Sequence, residues 1–210
     1  LERLLSYLRK GVTHLYLREE ARRAYLDYTE HLAQGLLRLE AAPVAAKVNQ
    51  ALSFGEETVK FLRQSGVDET SLAYSTGFVD TVCALVREKD WSADLIVSKF
   101  LEDLAQYEHG VSTAIVAALL FRPLQIGSER VQKLVAMAAL LHDIGLYCLP
   151  DDLIDRDEAT MSHEERQLYE SHPRHAAELL RELGGIDHVV IQAVFQHHER
   201  RDGSGYPIGL

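Results

Sequence analysis

The sequence predicts an all-α protein, a helical bundle preceded by a small, mostly helical N-terminal domain with at most one or two short strands. Three observations carry that prediction. Apolar residues recur every three to four positions through most of the chain, capping residues and glycines interrupt them at helix-sized intervals, and strand-like alternation is confined to residues 14–17.

Leu1, Leu4, Leu5 and Leu8 share one face of a helix that stops at Gly11. A long amphipathic helix is expected over 18–40, with Tyr25, Tyr28, Leu32, Leu36 and Leu37 at helical spacing. Pro43 opens the next, since proline fits a first turn, and Gly66 stops it. A domain boundary is expected at residue 67, within a window of 66–91, giving an N-terminal unit of 1–67 and a second unit of 68–210. Asp68 or Ser71 caps a helix running to about residue 89, and further helices are expected over 91–107 and 109–121. Pro123 and Gly127 punctuate, Ser128 caps, and a helix over 131–141 delivers His142 and Asp143 at its end. A loop through Pro150 follows. Ser162 and Glu165 form a capping box for a helix that continues to about residue 182, with a break at Pro173 and a stop at Gly184-Gly185. The last helix starts from Asp187 and finishes at His197-His198.

Bulk properties narrow the function. Hydrophobic residues at 47% and charged residues at 26% are those of a globular chain able to bury a core. The net charge of −10 argues against a grip on polymeric nucleic acid, which depends on excess Lys and Arg. The longest apolar runs, 113–121 and 134–141, fall well short of the roughly 18 residues of a membrane span, so no membrane insertion is expected. Cys83 and Cys148 stand without Cys-x-x-Cys partners, which suits a reducing cytoplasm. The chain opens with Leu1 and reads as a fragment of a longer protein.

The chemistry concentrates in the histidines. Ten occur, and seven of them lie between His142 and His198. His142-Asp143 suits a binuclear centre, because the imidazole can bind one ion while the two carboxylate oxygens bridge both. In His197-His198 the side chains point about 100° apart on a helix, so the two serve different ions or one supports the other. Nitrogen and oxygen donors without thiolate indicate iron, manganese, cobalt, nickel or zinc.

At these residues the sequence resembles a known family. Leu140-Leu141-His142-Asp143-Ile144-Gly145 is similar to the HD signature of the HD-GYP family, and the run from His197-His198-Glu199 through Gly203-Ser204-Gly205-Tyr206-Pro207 to its HHE and GYP signature. His172-Pro173 follows the capped helix as in that family, and His109 precedes the HD pair at the separation of the first ligand. The resemblance covers about residue 92 to the end and implies an HD-type helical bundle. It implies as metal ligands His109, His142, Asp143, His172, His197 and His198, holding two divalent transition metal ions, iron or manganese first. His142 and Asp143 would be the catalytic pair. Gly203, Gly205, Tyr206 and Pro207 would form a loop facing substrate or a partner, where composition alone reads as a tight turn. The implied reaction is metal-dependent hydrolysis of cyclic di-GMP to pGpG and GMP, with GGDEF-type or other signalling proteins as partners and a cytoplasmic setting.

Some features depart from the family. Leu146 stands where lysine is usual, Ala105 where some members carry a glutamate for a third metal, and Ala176 where glycine is usual. The chain also stops at Leu210, before a helix that in the family carries a further aspartate ligand, so the HD-GYP unit is read as truncated there. The alternative is a degenerate HD-GYP module serving as a non-catalytic nucleotide sensor or signalling scaffold; a nucleotidase acting on another phosphate ester is a third reading, which the GYP loop disfavours. His14, His31, His163, His175 and His188 match no motif and read as surface or capping residues. Residues 1–67 carry no chemical motif and read as a regulatory or homodimer-forming unit.

Overall fold

A computed structural model describes residues 6–7, 9–12, 16–88, 108–124, 127–154 and 156–210, the side chains at 122 and 123 excepted. After a 3-10 turn at Glu19–Ala21 come helices α1 (Arg22–Arg38), α2 (Val44–Ser65) and α3 (Glu69–Arg87). Then follow α4 (His109–Leu124), α5 (Glu129–Leu141), a 3-10 segment at Ile144–Cys148, the single turn α6 (Asp151–Ile154) and a 3-10 turn at Glu158–Thr160. Helices α7 (His163–Tyr169), α8 (His172–Leu183) and α9 (His188–Gln196) complete the order. No strand occurs among the described residues. The helix expected over 91–107 lies outside them, as do most of the leucine helix at the start and residues 14 and 15 of the strand expected at 14–17, whose described residues 16 and 17 are not in a strand.

Local sequence sets most boundaries. Gly66 ends α2 at φ 81°, and Asp68 opens α3 through a reciprocal capping box with Ser71. Ser128 caps α5, Ser162 and Glu165 box α7, and Asp187 caps α9. Two expectations need correction. The stretch after Asp143 is a 3-10 segment rather than a loop. The break expected at Pro173 falls at Glu170-Ser171 instead, and His172-Pro173 opens α8, where proline's missing N–H costs no helical bond.

The apolar faces of α1 to α5, α8 and α9 meet in one core that includes Phe54, Phe78, Val111, Leu141, Leu180 and Val194. Phe54 and Phe78 pack edge to face at 6.3 Å, joining α2 to α3, so the core runs without a gap across residue 67. Lys47, buried near the start of α2, pairs at 2.8 Å with Glu88 just past the end of α3. The stretch Glu129–Cys148 is long and apolar enough to cross a bilayer by composition. Its helix ends at Leu141, however, and Ala136, Leu140, Leu141 and Ile144 are spent on the core. A second apolar cluster joins Leu146 of the 3-10 segment to Leu149, Leu153 and Met161.

Candidate metal centre

Four helix termini converge on one place. The start of α4 brings His109, the end of α5 brings His142 and Asp143, the start of α8 brings His172, and the end of α9 brings His197 and His198. Two groups of donor atoms result, His109 with His142 and Asp143, and Asp143 with His172, His197 and His198, each within 4.8 Å. All six residues singled out in the sequence therefore come together, and Asp143 belongs to both groups. His197 and His198 fall in the same group, within reach of one site rather than of two separate ones as their spacing on a helix suggested.

The carboxylate of Asp143 divides between the groups. Its Oδ2 is 3.2 Å from Nε2 of His142, and its Oδ1 is 3.4 Å from Nε2 of both His172 and His197. Burial alone would raise this carboxyl, but His142, His172 and His197 outweigh burial and hold it well below the usual carboxylate range. It is an anion at neutral pH.

The imidazoles are oriented by their own helices. Nδ1 of His142, His172 and His197 lies 2.8, 2.8 and 2.7 Å from the carbonyl oxygens of Ala139, Tyr169 and Val194, each three residues earlier. A carbonyl can only accept, so each Nδ1 carries a proton, and in the neutral ring the Nε2 lone pair faces inward. Burial, then the neighbouring His197 and His172, push the His198 imidazole down to about 4, leaving it neutral and able to ligate. His142 moves the other way: burial lowers it, but the adjoining Asp143 outweighs burial and raises it.

This donor set fits divalent transition metals. Inward lone pairs on His172 and His197, 3.2 Å apart, repel each other unless a cation lies between them, and an anionic carboxylate reaching both groups suits a pair of ions. Without thiolate, the set suits iron, manganese, cobalt, nickel or zinc.

Backbone proximity makes the convergence possible. At Gly145 a Cβ would overlap the carbonyl oxygen of His172 and come within 2.8 Å of the Ala176 nitrogen. The absent side chain lets the segment after Asp143 press against the first turn of α8. Ala176 is fully buried at this crossing, as a packing substitution requires.

The GYP loop folds over the second group. Tyr206 stacks on His198 with centroids 4.5 Å apart and an interplanar angle of 22°. Its N–H donates to the His198 carbonyl, while Glu199 accepts from the Ile208 and Leu210 N–H groups at 2.7 and 2.8 Å. Asp202 bonds the Ser204 N–H and hydroxyl, and Gly203 turns at φ 74°, so the tight turn is also a cover for the site.

Leu146 is buried in the second apolar cluster. Arg63 of α2 stands with its guanidinium 5.9 Å from the centroid of the Tyr147 ring. Burial, then Glu108, push the Tyr147 phenol up to about 12, with Arg63 opposing and Asp143 adding to the rise. Arg63 carries no local sequence signal, and the HHE signature marks Glu199 without indicating that it grips the loop. His31, His163, His175 and His188 stand outside both donor groups, and His14 lies outside the described residues.

The HD domain family matches residues 94–210, more than half of the chain. The cyclic di-GMP phosphodiesterase PA4108 of Pseudomonas aeruginosa is 30% identical over 138 residues, 66% of this chain and 33% of its own length. The cyclic di-GMP phosphodiesterase response regulator RpfG of Xanthomonas campestris pv. campestris is 37% identical over 99 residues, 45% of this chain and 25% of its own. The chain thus spans a third or less of these curated relatives. Among solved structures, Bd1817, an HDG"Y"P protein from Bdellovibrio bacteriovorus, shares the fold with a TM-score of 0.65 at 20% identity, covering 90% of this chain and 62% of that one. With its HD and GYP signatures folded around one cluster of histidines, the chain belongs to the HD domain family, in its HD-GYP branch.

Proposed function

We propose that this chain is the catalytic part of a metal-dependent phosphodiesterase that hydrolyses cyclic di-GMP to pGpG and GMP. The observation that carries the proposal is the division of the Asp143 carboxylate, one oxygen toward His142 and the other toward His172 and His197. The names of the relatives support the substrate. His109, His142 and Asp143 would hold one ion, and Asp143, His172, His197 and His198 the other, iron or manganese first. Such ions supply Lewis acidity, activating water and neutralising phosphate charge on an otherwise acidic protein. The chain's own part is to fix the donors: Nδ1 bonds keep three imidazoles aimed inward, and Asp143 stays ionised. Gly203, Gly205, Tyr206 and Pro207 form the wall facing substrate or a partner.

The setting we assign is the cytoplasm, with GGDEF-type or other signalling proteins as partners and residues 1–67 as a regulatory or homodimer-forming unit. One observation favours a second reading. Leu146 is buried among apolar side chains where the family offers a cation to substrate, which suits a non-catalytic sensor or scaffold. Incubation with cyclic di-GMP and manganese or iron, with products separated by chromatography, decides between them. Formation of pGpG, lost together with metal in His142→Ala, supports the enzyme; metal-loaded protein that binds cyclic di-GMP and leaves it intact supports the sensor.

A further inference from the structure

The candidate centre is built in part by a helix that precedes the HD-matched residues. Glu56, on α2, accepts a 2.7 Å hydrogen bond at Oε1 from the backbone N–H of Glu108. Glu108 immediately precedes His109, the first residue of α4. The first N–H groups of a helix have no partner within it, and an anionic acceptor there also complements the helix dipole. Glu56 therefore does from 52 positions away what a capping residue does locally. Burial is the largest influence on its carboxyl and raises it, opposed by this hydrogen bond, so the contact is partly sheltered from water.

The start of α4 is also held close against α5. A Cβ on Gly110 would stand 2.7 Å from the carbonyl oxygen of Leu140, so α4 crosses the end of α5 almost backbone to backbone. Between these contacts the His109 ring lies 5.0 Å from that of His142. Two turns beyond Glu56 on the same face of α2, Arg63 covers Tyr147, four residues past Asp143. One helix outside residues 94–210 thus contacts both the residue before His109 and a residue four positions past Asp143.

We propose that Glu56 is the positioning residue for His109, and that α2 is the element through which the preceding part of the chain governs the ion on the His109 side. This rests on the metal-centre reading above. A shift of α2 would remove the anchor of His109 while leaving the group of His172, His197 and His198 in place.

The test is manganese binding to the 210-residue chain, by titration and elemental analysis, for wild type, Glu56→Ala, Glu56→Gln and Glu56→Asp, with circular dichroism reporting the fold. Glu56→Ala is expected to weaken one of two ions by about tenfold and spare the other, the size seen when an outer support of a ligand is removed. Glu56→Gln, whose amide oxygen accepts the same bond, is expected to restore it. Glu56→Asp keeps the charge but withdraws the oxygen by one methylene, and is expected to behave as the alanine variant; it decides the matter if Glu56→Ala does not fold. Two ions held with wild-type affinity by the folded alanine or aspartate variant would overturn the proposal and leave the metal centre standing. A wild-type chain that takes up no ion would overturn both.

Discussion

Nε2 of His172 lies 3.2 Å from Nε2 of His197, although the two residues come from different helices and His172 is fully buried. Because both Nδ1 protons are committed to backbone carbonyls, neither ring can turn to offer a donor without losing a buried hydrogen bond. The two helices therefore place this pair where a cation could be held between them.

Gly145 is what lets these parts approach. Gly145→Ala forces a side chain into the His172 carbonyl, and the strain is expected to cost about 2–3 kcal/mol of stability. Since the same displacement separates Asp143 from His172, metal content should fall along with the melting temperature. Calorimetry paired with elemental analysis checks both.

Tyr206 is expected to act through its ring. Tyr206→Phe preserves the stack on His198 and should leave ion affinity unchanged, whereas Tyr206→Ala should weaken it by about 3–10-fold, the equivalent of an aromatic pair. Isothermal titration with manganese distinguishes them. Equal weakening by both variants would assign the effect to the hydroxyl.

Arg63 supplies positive charge on the side where Leu146 does not. Arg63→Ala should raise KM for cyclic di-GMP by about threefold, as expected for one exposed cation, with metal content unchanged. Steady-state kinetics at low and high salt checks it, and the difference should shrink as salt rises.

Asp187 ties together the starts of two of the four helices that carry the candidate ligands: it caps α9 through the Val189 N–H and pairs at 2.9 Å with Arg130 on α5. The Val189 N–H first, then Arg130, hold its carboxyl below the ordinary value of 3.8. A group lowered on folding contributes stability that is complete above its unfolded value and lost as pH falls through the folded one. The contribution of Asp187 should thus be intact at pH 5 and disappear below pH 3.8. The melting-temperature gap between wild type and Asp187→Asn, followed from pH 6 to pH 3, should narrow toward the acid end.

Much of this architecture was legible because its signals are local. Asp68, Ser128, Ser162, Asp187, Gly66 and Gly184 act within one turn of where they stand, so reading them in order recovers the helix boundaries. The six convergent side chains followed from motifs. What escaped depends on approach between distant segments. Glu56 meets Glu108 only after α2 and α4 have packed, and nothing around Glu56 marks it. The doublet His197-His198 follows the last residue of α9, Gln196, so the spacing of a regular helix was a poor guide to where its rings point. The 3-10 segment after Asp143 owes its path to Gly145 and to Leu146 sinking into an apolar cluster, a tertiary preference that overrides the turn composition.

The central claim is that Asp143 joins two ions. Electron paramagnetic resonance of the manganese-titrated chain, with stoichiometry measured on the same samples, tests it most directly. Two manganese ions per chain with an exchange-coupled spectrum, lost in Asp143→Ala, is the predicted result; two uncoupled ions, a single ion, or none would contradict it.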